Sequence, residues 1–346
     1  TYMPKNMCKR IVVSHLLPLL DDRNLNDQGI DARGAQIKHG NLYGSSKDVG
    51  KIMASLPVLT ENGGRANRVG YSRREIDGTF YKFGFFYEWT EEFANFDSDP
   101  QILEKMYMEA LKTAEQIQED MLQIDLLNGA GTLMYSGSAV SDATLTATTV
   151  LTFETLRKLD LALTANRTPK STKIITGSTM VDSRTATTNR IIFCGAELRP
   201  LLENMTDNFG QRALIYPHQY GAATKLMEDE IGIIGNFRFI EVENMFRWAG
   251  AGAATTPAGA NFWSTNNRYD IFPLLCVGED SFTNIGFQMG KGSGAKFNII
   301  TKKPSTETAS SNDPYGEVGF TSFKWYYGML LLRPERIGII KTTAPF

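Results

Sequence analysis

Histidine side chains are examined first, because imidazole can serve as a general acid, a general base or a metal ligand near neutral pH. The 346-residue chain contains three of them, His15, His39 and His218, which lie far apart in the sequence. None has a metal-ligand partner at the helical spacing that a zinc site on a helix uses. The histidines therefore predict neither a catalytic residue nor a metal site.

Two short segments carry groups that phosphate or metal sites use. In GFQMGKGSG (286–294) only three residues separate Gly286 from the Gly290-Lys291 pair, and no serine or threonine directly follows Lys291, so the phosphate-loop motif fails. The three carboxylates at 228–230 face different directions on any regular element and indicate a solvated turn. Serine-hydrolase, zinc-protease and paired CxxC motifs are also absent from the sequence. We predict no catalytic, cofactor-binding or metal-binding residue, which favours a structural role over an enzymatic one.

The cysteines, Cys8, Cys194 and Cys276, are odd in number and widely spaced. Cys194 ends the apolar run IIFC and Cys276 the run LLC, so both are predicted to be small buried residues. This pattern predicts no disulfide framework and indicates a reducing compartment.

The composition excludes two broad classes of protein. Lys plus Arg total 36 and Asp plus Glu total 38, a net charge of −2, which argues against a dedicated nucleic-acid binder with its usual basic surplus. The apolar stretch IVVSHLLPLL (11–20) is too short to span a bilayer and contains Ser, His and Pro. With 42% hydrophobic residues, the chain is long enough to form two lobes around substantial cores.

An aromatic strand is the strongest pattern among the elements. Between residues 80 and 89 aromatic side chains fall at every second position, which places them on one face of a strand. The opposite face is mixed. Such an aromatic face has to be covered, either by the chain's own core, which we favour, or by another chain. Its members are Tyr81, Phe83, Phe85, Tyr87 and Trp89.

A long amphipathic helix follows this strand. Asp99 is predicted as its N-cap, Pro100 as its first residue and Gly129 as its stop signal. The sequence predicts a continuous helix from Asp99 to Asn128, about 43 Å long. Its apolar face is expected to pack on the aromatic strand and on the strand that contains Trp325. That face comprises Leu103, Tyr107, Ala110, Ala114, Ile117, Met121 and Ile124.

The remaining elements mix helices and strands without regular alternation, which predicts an α+β fold. A second helix with Thr152 as its N-cap is expected at 151–169, a strand pair at 230–245 and another strand pair at 271–287. The low-complexity segment AGAGAATTPAGA (249–260) predicts an exposed, mobile loop, because its side chains are too small to build a core.

Five segments, taken in chain order, carry a resemblance to a known family. They are LPVLTENGG with REIDGTFYKFGFFYEWTEEF (56–64 and 74–93), IDLLNGAGTLMYSG (124–137), LTFETLRKLDLALTANRTP (151–169), EIGIIGNFRFIEVENM (230–245) and DPYGEVGFTSFKWYYGMLLLRPERIGIIK (313–341). In this order they resemble the major capsid proteins of tailed phages with the Hong Kong 97-type fold. Their details are similar to those of the N-four-like podophages, the schitovirus group, over residues 50–346.

The resemblance implies a domain organisation and a function. The function would be self-assembly through hexamers and pentamers into the icosahedral head that encloses a double-stranded DNA genome, without enzymatic activity or cofactor. An encapsulin-like compartment on the same fold and an unrecognised α+β enzyme are the alternatives. The implied regions are an N-terminal arm (1–46), an extended loop (47–88), a peripheral domain (89–150 and 297–332) with a spine helix (99–128), and an axial domain (151–296 and 333–346).

The resemblance also implies partners. These are other copies of the chain, together with scaffold, portal and decoration proteins and weak, non-specific contact with packaged DNA. We expect the protein in the virion, after assembly in the host cytoplasm, and not in a membrane.

Arginines in the segment 47–78 are the predicted contact residues. The turn at Asn62 predicts a hairpin tip that cannot fold on itself, so we expect the hairpin to make mostly intermolecular contacts. Like charges that lie close together repel one another and favour carboxylates on a neighbouring copy. The predicted contact residues are Arg65, Arg68, Arg73, Arg74, Glu91 and Glu92, with Asp97 and Asp99 in the same acidic stretch.

Overall fold

The chain divides into two units. One unit is formed by Thr1–Met7 with Phe80–Phe346 and the other by Cys8–Thr79. Two extended sheets lie in the larger unit. The computed structural model describes residues 2–3, 10–16, 73–96, 101–170, 172–176, 182–186, 189–217, 229–255, 261–287, 297–305, 309 and 313–346.

Helices and strands are mixed along the chain, and their order confirms the predicted α+β class. The helices are α1 (Glu91–Phe96), α2 (Ile102–Gly129), α3 (Phe153–Ala165) and α4 (Arg199–Glu203). The strands are β1 (Tyr2–Met3), β2 (Arg10–Leu16), β3 (Arg73–Thr79), β4 (Tyr81–Thr90), β5 (Thr132–Tyr135), β6 (Thr172–Thr176), β7 (Asp182–Ala186), β8 (Arg190–Gly195), β9 (Glu230–Ile234), β10 (Phe237–Val242), β11 (Ser264–Thr265), β12 (Arg268–Tyr269), β13 (Phe272–Val277), β14 (Phe282–Phe287), β15 (Asn298–Lys302), β16 (Val318–Leu331) and β17 (Ile337–Thr342).

The smaller unit contains an antiparallel pair of strands. β2 and β3 pair along their full lengths, from Arg10 opposite Thr79 to Leu16 opposite Arg73. The C-terminal part of the predicted hairpin 47–78 is therefore paired with its own chain, which corrects the expectation of mostly intermolecular contacts for that part. Residues 47–72 lie outside the described part of the chain.

The first sheet of the larger unit is built around the 14-residue strand β16. β4 pairs with β16 in antiparallel register over ten positions, from Val318 opposite Thr90 to Tyr327 opposite Tyr81. β14 and β15 also pair with β16, and β1 adds to β14 in parallel. Side chains of β16 alternate in burial along most of its length, as the period of two in a strand requires.

Helix α2 covers most of the aromatic face of this sheet, so the chain's own core buries it as predicted, except at Tyr81, which is 66% exposed. Phe323 and Trp325 are about 1% exposed, and the ring of Phe85 stacks on Phe323 with centroids 5.2 Å apart. The ring centroid of Tyr107 in α2 lies 5.8 Å from the ring centroid of Phe323. The helix residues in this cluster are Tyr107, Ala110, Leu111, Ala114, Ile117 and Met121.

The helix is continuous over 28 residues and ends at Gly129, which confirms the predicted rod and its stop signal. Its start was predicted wrongly. The first helical residue is Ile102, and the N-cap is Gln101, which makes no capping hydrogen bond through its side chain. The backbone at Gln101 has φ −107° and ψ 11°, so it becomes helical only beyond the predicted cap Asp99. Among the described helices, none has the length and apolar character needed to cross a membrane.

The second sheet has six strands in the order β5-β17-β13-β8-β10-β9. Helix α3 packs on it through Leu156, Leu159 and Leu163, which are at most 2% exposed. The hydroxyl of Thr152 accepts a hydrogen bond from the backbone N–H of Thr155 at 3.4 Å, which confirms the predicted N-cap. β9 and β10 form the predicted strand pair.

The C-terminal part of α2 packs against this second sheet. Leu126 is 5% exposed and clusters with Leu275, Ile337 and Ile339 of β13 and β17. Because the surface beneath the helix changes from the first sheet to the second, its buried side shifts toward Leu126. Ile124 is consequently 43% exposed, so its predicted place on the buried stripe was wrong.

The chain passes between the two sheets at three places that lie close together. They are the segment between β13 and β14, the segment between β16 and β17, and the end of α2, which leads into β5. β13 and β14 are consecutive strands but lie in different sheets, so the predicted strand pair at 271–287 was wrong. The segment between them meets the segment between β16 and β17, where the backbone N–H of Gly278 donates to Arg336 O at 3.1 Å. The end of α2 meets the same segment, because the Gly131 N–H donates to Pro334 O at 2.9 Å. The chain cannot form a β13–β14 hairpin here, because the two strands diverge into separate cores.

The first part of the Ala/Gly-rich segment is not the exposed loop that was predicted. Backbone N–H groups of Gly252, Ala253 and Thr255 donate to carbonyl oxygens on neighbouring segments at 2.9–3.0 Å. Gly252 is buried, and a Cβ at this position would lie 2.8 Å from the carbonyl oxygen of Tyr269. Small side chains allow this close approach of two backbones. Residues 256–260 lie outside the described ranges.

Among the carboxylates at 228–230, Glu230 differs from the prediction of a solvated turn, and Glu228 lies outside the described residues. Glu230 opens strand β9, its side chain is fully buried, and its Oε1 lies 3.2 Å from Nε of Arg238. Asp229 is exposed and has φ +56°, so the chain turns there and carries the next residue inward. A buried carboxylate of this kind requires a cationic partner, which strand β10 supplies.

Candidate assembly surface

The face of the first sheet opposite α2 forms a groove of about 580 Å³. It crosses β4, β16 and β15. Its floor is formed at Gly84, where a Cβ would lie 2.6 Å from the carbonyl oxygen of Phe323. Only a glycine lets the two backbones approach this closely. Residues on its rim and walls include Lys82, Phe86, Glu88, Ile300, Phe320 and Lys324.

Apolar side chains in the groove are unusually accessible. Phe86 is 64% exposed and Ile300 is 46% exposed, whereas Phe320 is half-buried. Because Phe86 projects to the side opposite Phe85, α2 cannot cover it. An exposed apolar patch rimmed by charged residues is typical of a protein interaction surface. The geometry therefore suits the binding of an extended or looped protein segment.

The first sheet and α2 together form a layer whose two sides carry opposite net charge. On the groove side, Lys82, Lys302 and Lys324 outnumber Glu88, which gives a net charge of +2 (3 − 1). On the other side, α2 carries a net charge of −4, with two basic and six acidic residues (2 − 6). The acidic residues are Glu104, Glu109, Glu115, Glu119, Asp120 and Asp125, and the basic residues are Lys105 and Lys112.

A hydrogen bond fastens the helix to the sheet behind the groove. The hydroxyl of Tyr327 in β16 donates to Oδ2 of Asp125 in α2 at 2.8 Å. Burial, followed by this hydrogen bond, raises the pKa of Tyr327 well above its ordinary value. The contact fixes the C-terminal third of α2 relative to the central strand β16. The sheet that forms the groove is therefore supported from behind by a helix held in place.

The structure places only part of the predicted contact set. Glu91 and Glu92 lie in the first turn of α1 and are exposed, where the helix N-terminus favours acidic side chains. Arg73 and Arg74 are the first residues of β3 in the smaller unit. Contacts of these residues with another copy stay a prediction. Arg65, Arg68, Asp97 and Asp99 lie outside the described residues.

Comparison with known proteins identifies the family. The sequence model described as "Phage capsid protein" matches residues 74–342 of this chain. The chain belongs to the phage capsid protein family. It is also 49% identical over 342 residues to the "Major capsid protein" of Pseudomonas phage KPP21, a match that covers 99% of this chain and 86% of that protein.

Solved structures similar to this capsid protein show the fold. The capsid of Ralstonia phage GP4 aligns with a TM-score of 0.62 at 12% identity, covering 100% of this chain and 87% of that one. The capsid of cyanophage Pam1 aligns with a TM-score of 0.55 at 10% identity, covering 99% and 88%. The Hong Kong 97-type capsid fold predicted from the sequence is confirmed. The predicted function of a phage capsid protein is confirmed as well, and neither the encapsulin nor the enzyme alternative is favoured.

The groups examined for metal binding and thiol chemistry are those in the described part of this capsid protein. No cluster of three or more His, Cys, Asp or Glu residues suited to a metal ion occurs among the described residues. Cys194 and Cys276 are free thiols in the core, as predicted, and burial raises the pKa of each to about 12. Such thiols remain protonated at neutral pH and are poor nucleophiles.

Proposed function

We propose that this chain is the major capsid protein of a tailed phage and assembles through hexamers and pentamers into an icosahedral head around double-stranded DNA. The observation that carries the proposal is the match along 99% of the chain to the major capsid protein of phage KPP21. The near-neutral net charge of −2 fits a wall that faces DNA, because a strongly basic inner surface would adsorb it.

The larger unit supplies the rigidity that a shell wall requires. Helix α2 contacts both sheets without interruption, since it covers Trp325 of the first sheet and its own Leu126 is buried against the second. A subunit braced in this way can transmit contacts from one side of the ring to the other. We propose that the groove of the first sheet receives part of the extended loop (47–88) of a neighbouring copy, from the portion that precedes β4, since β4 itself lines the groove.

The domain assignment remains a proposal with one refinement. The peripheral domain would comprise residues 89–150 and 297–332, and the axial domain 151–296 and 333–346, after an N-terminal arm (1–46). Strand β5 lies in the sheet of the proposed axial domain, and β14 lies in the sheet of the proposed peripheral domain. We therefore propose that the two domains exchange these strands.

The five sequence segments support a finer assignment to the N-four-like podophage, or schitovirus, branch. Further proposed partners are scaffold, portal and decoration proteins, together with weak contacts to packaged DNA, with assembly in the host cytoplasm before the protein enters the virion. Genes for a portal protein and a terminase beside this gene would support the phage assignment. Genes for an enzyme cargo beside it would instead support a compartment.

Sizing the purified native protein tests the proposed function. A shell protein yields particles of megadalton mass, and electron microscopy then shows closed icosahedral heads. A small soluble species under all assembly conditions would contradict the proposal. Since some capsid proteins require other virion components to assemble, the chain should also be co-expressed with the scaffold and portal genes of the same phage.

A further inference from the structure

A tight turn after helix α4 carries the most exposed large apolar side chain of the described residues. This segment, residues 206–212, is called the aromatic turn. Phe209 at its tip is 89% exposed. The backbone N–H of Asp207 donates to Gln211 O at 2.8 Å, and the N–H of Gly210 donates to Asp207 O at 3.1 Å. The turn is thus closed by its own backbone.

The carboxylate of Asp207 adds a second clamp. Its Oδ1 accepts hydrogen bonds from the backbone N–H groups of Phe209 at 2.8 Å and Gln211 at 2.9 Å. The base of the turn is anchored in the core, since Met205 and Leu214 are 6% and 3% exposed. The turn has therefore already lost its conformational freedom, which removes a cost that a flexible loop meets on binding.

The surface beside the turn has the composition of a protein interface. The guanidinium of Arg212 lies 4.9 Å from the ring centroid of Tyr216, and its Nη2 donates to the Tyr216 hydroxyl at 2.7 Å. Ile215 is 44% exposed. Phenylalanine, tyrosine and arginine are enriched at protein interfaces, and tyrosine and arginine are also enriched among the few positions that carry most of the binding energy.

We propose that Phe209 is an anchor residue that inserts into a neighbouring copy of this chain. A phenylalanine can bury about 150–250 Å², and in the isolated chain almost none of this area is removed from water. The rigid turn presents the ring in one position, which suits a contact repeated identically around a closed ring. This inference rests on the proposed function and names a surface through which the copies meet.

The charge of the turn favours a protein partner over nucleic acid. Asp207 and Arg212 are its charged residues, and their charges cancel. The carboxylate is engaged with backbone N–H groups, and the guanidinium lies against Tyr216. Contact with DNA would require a basic surplus around an exposed aromatic ring. An exposed phenylalanine on a turn with no net charge is instead suited to an apolar pocket on another subunit.

The test compares Phe209→Ala with Leu161→Ala in the full-length chain. Leu161 is 69% exposed on α3 of the same unit and provides a matched loss of exposed apolar surface. Light scattering against protein concentration measures the threshold for assembly, and circular dichroism measures thermal unfolding of the unassembled protein. We expect Phe209→Ala to raise the assembly threshold about tenfold or more, as loss of an interface anchor does, and Leu161→Ala to change it less than about twofold.

Two further variants separate the ring from the turn that holds it. Phe209→Tyr retains the aromatic surface and should assemble near the wild-type threshold. Asp207→Ala retains the ring but releases the clamp, so it should raise the threshold by a smaller factor than Phe209→Ala. Phe209→Tyr should leave the unfolding transition unchanged within a few degrees, because the side chain of Phe209 is 89% exposed. Asp207→Ala should also lower it by only a few degrees, because the two hydrogen bonds that it removes lie at the exposed surface.

The outcomes distinguish this inference from the proposed function. If the wild-type chain forms no particles under any condition, including co-expression with its scaffold and portal genes, the proposed function fails and the anchor falls with it. If the wild type assembles and Phe209→Ala assembles at the same threshold, the proposed function stands and the anchor is refuted. A Leu161→Ala effect as large as that of Phe209→Ala would also refute the specific role of Phe209.

Discussion

At the scale of single residues, Ile117 and Ile124 of α2 form a natural pair for mutagenesis. Ile117 packs in the aromatic cluster, whereas Ile124 is 43% exposed. We expect Ile117→Asp to lower the free energy of unfolding by about 2–4 kcal/mol, because it places a charge without a partner at a partly buried position against the aromatic cluster. Chemical denaturation of the unassembled protein measures this change. Ile124→Asp is the control and should cost less than about 1 kcal/mol, and equal effects would show that the two helix faces are misassigned.

Tyr327 gives the protein a predicted dependence on alkaline pH. Its pKa is raised in the folded state by burial and by the hydrogen bond to Asp125. In the unfolded chain the phenol ionises near pH 10. The folded state binds the proton more tightly, so this stabilisation is complete below pH 10 and decreases as the pH rises above it.

The variant Tyr327→Phe tests this dependence by removing the ionising group. Denaturation measured between pH 8 and pH 11 should show a smaller decrease in the free energy of unfolding for the variant than for the wild type. Tyr81→Phe, at a position that is 66% exposed, is the control. Parallel pH profiles for the wild type and Tyr327→Phe would contradict the prediction.

Gly252 tests the corrected interpretation of the Ala/Gly-rich segment. A Cβ here would lie 2.8 Å from a backbone oxygen and 2.9 Å from the side chain of Tyr269. We therefore expect Gly252→Val to lower the free energy of unfolding by about 2 kcal/mol or more, through overpacking against backbone that cannot move aside. The same denaturation assay on Ala254→Val, at an exposed position, should show a change below about 0.5 kcal/mol. A tolerated Gly252→Val would restore the original interpretation as an exposed loop.

At the scale of elements, the paired arginines of β3 bear on assembly. We predict that Arg73→Glu together with Arg74→Glu leaves the fold intact and impairs assembly, because it reverses two charges proposed to meet carboxylates on another copy. The defect should be larger at low salt, where charge interactions are less screened. Circular dichroism checks folding, and light scattering at two ionic strengths checks assembly.

A control for this double variant reverses an adjacent basic pair on another element. Arg157 and Lys158 are consecutive and exposed on α3. Their double change to glutamate should leave the assembly threshold within about twofold of the wild type, since exposed ion pairs contribute about 0–1 kcal/mol each. Assembly of the β3 variant at the wild-type threshold and salt dependence would exclude the charge mechanism.

The elements with strong local periodicity could be predicted from the sequence. The aromatic strand, the 28-residue rod and the Thr152-capped helix each depend on neighbours within one or two turns. The start of the rod could not be predicted in the same way, because the local cap signal at Asp99 and Pro100 precedes the N-cap Gln101 by one or two residues. Glu230 was missed because its partner Arg238 lies on the next strand, and the sequence alone does not align the two side chains.

At the scale of the whole molecule, the order of elements identified the fold, but the membership of the sheets could not be predicted. β13 and β14 are only four residues apart, and their assignment to different sheets depends on contacts with distant segments. The groove was missed for the same reason, since Phe86, Ile300 and Phe320 come from three strands. Phe209 was missed because a single phenylalanine between polar residues has no periodic signal, and its exposure on a turn closed by Asp207 becomes visible only in the structure.

The three neighbouring crossings between the sheets have a consequence for shell geometry. A subunit that occupies both five-membered and six-membered rings meets its neighbours at two different angles. Gly278, Gly131 and Arg336 connect the crossings by backbone hydrogen bonds, and α2 spans both sheets without a break. A bend between the sheets would have to break these bonds together. On the proposed function, we therefore expect curvature of the shell to be set at the boundaries between subunits, while the larger unit of each subunit keeps one internal shape.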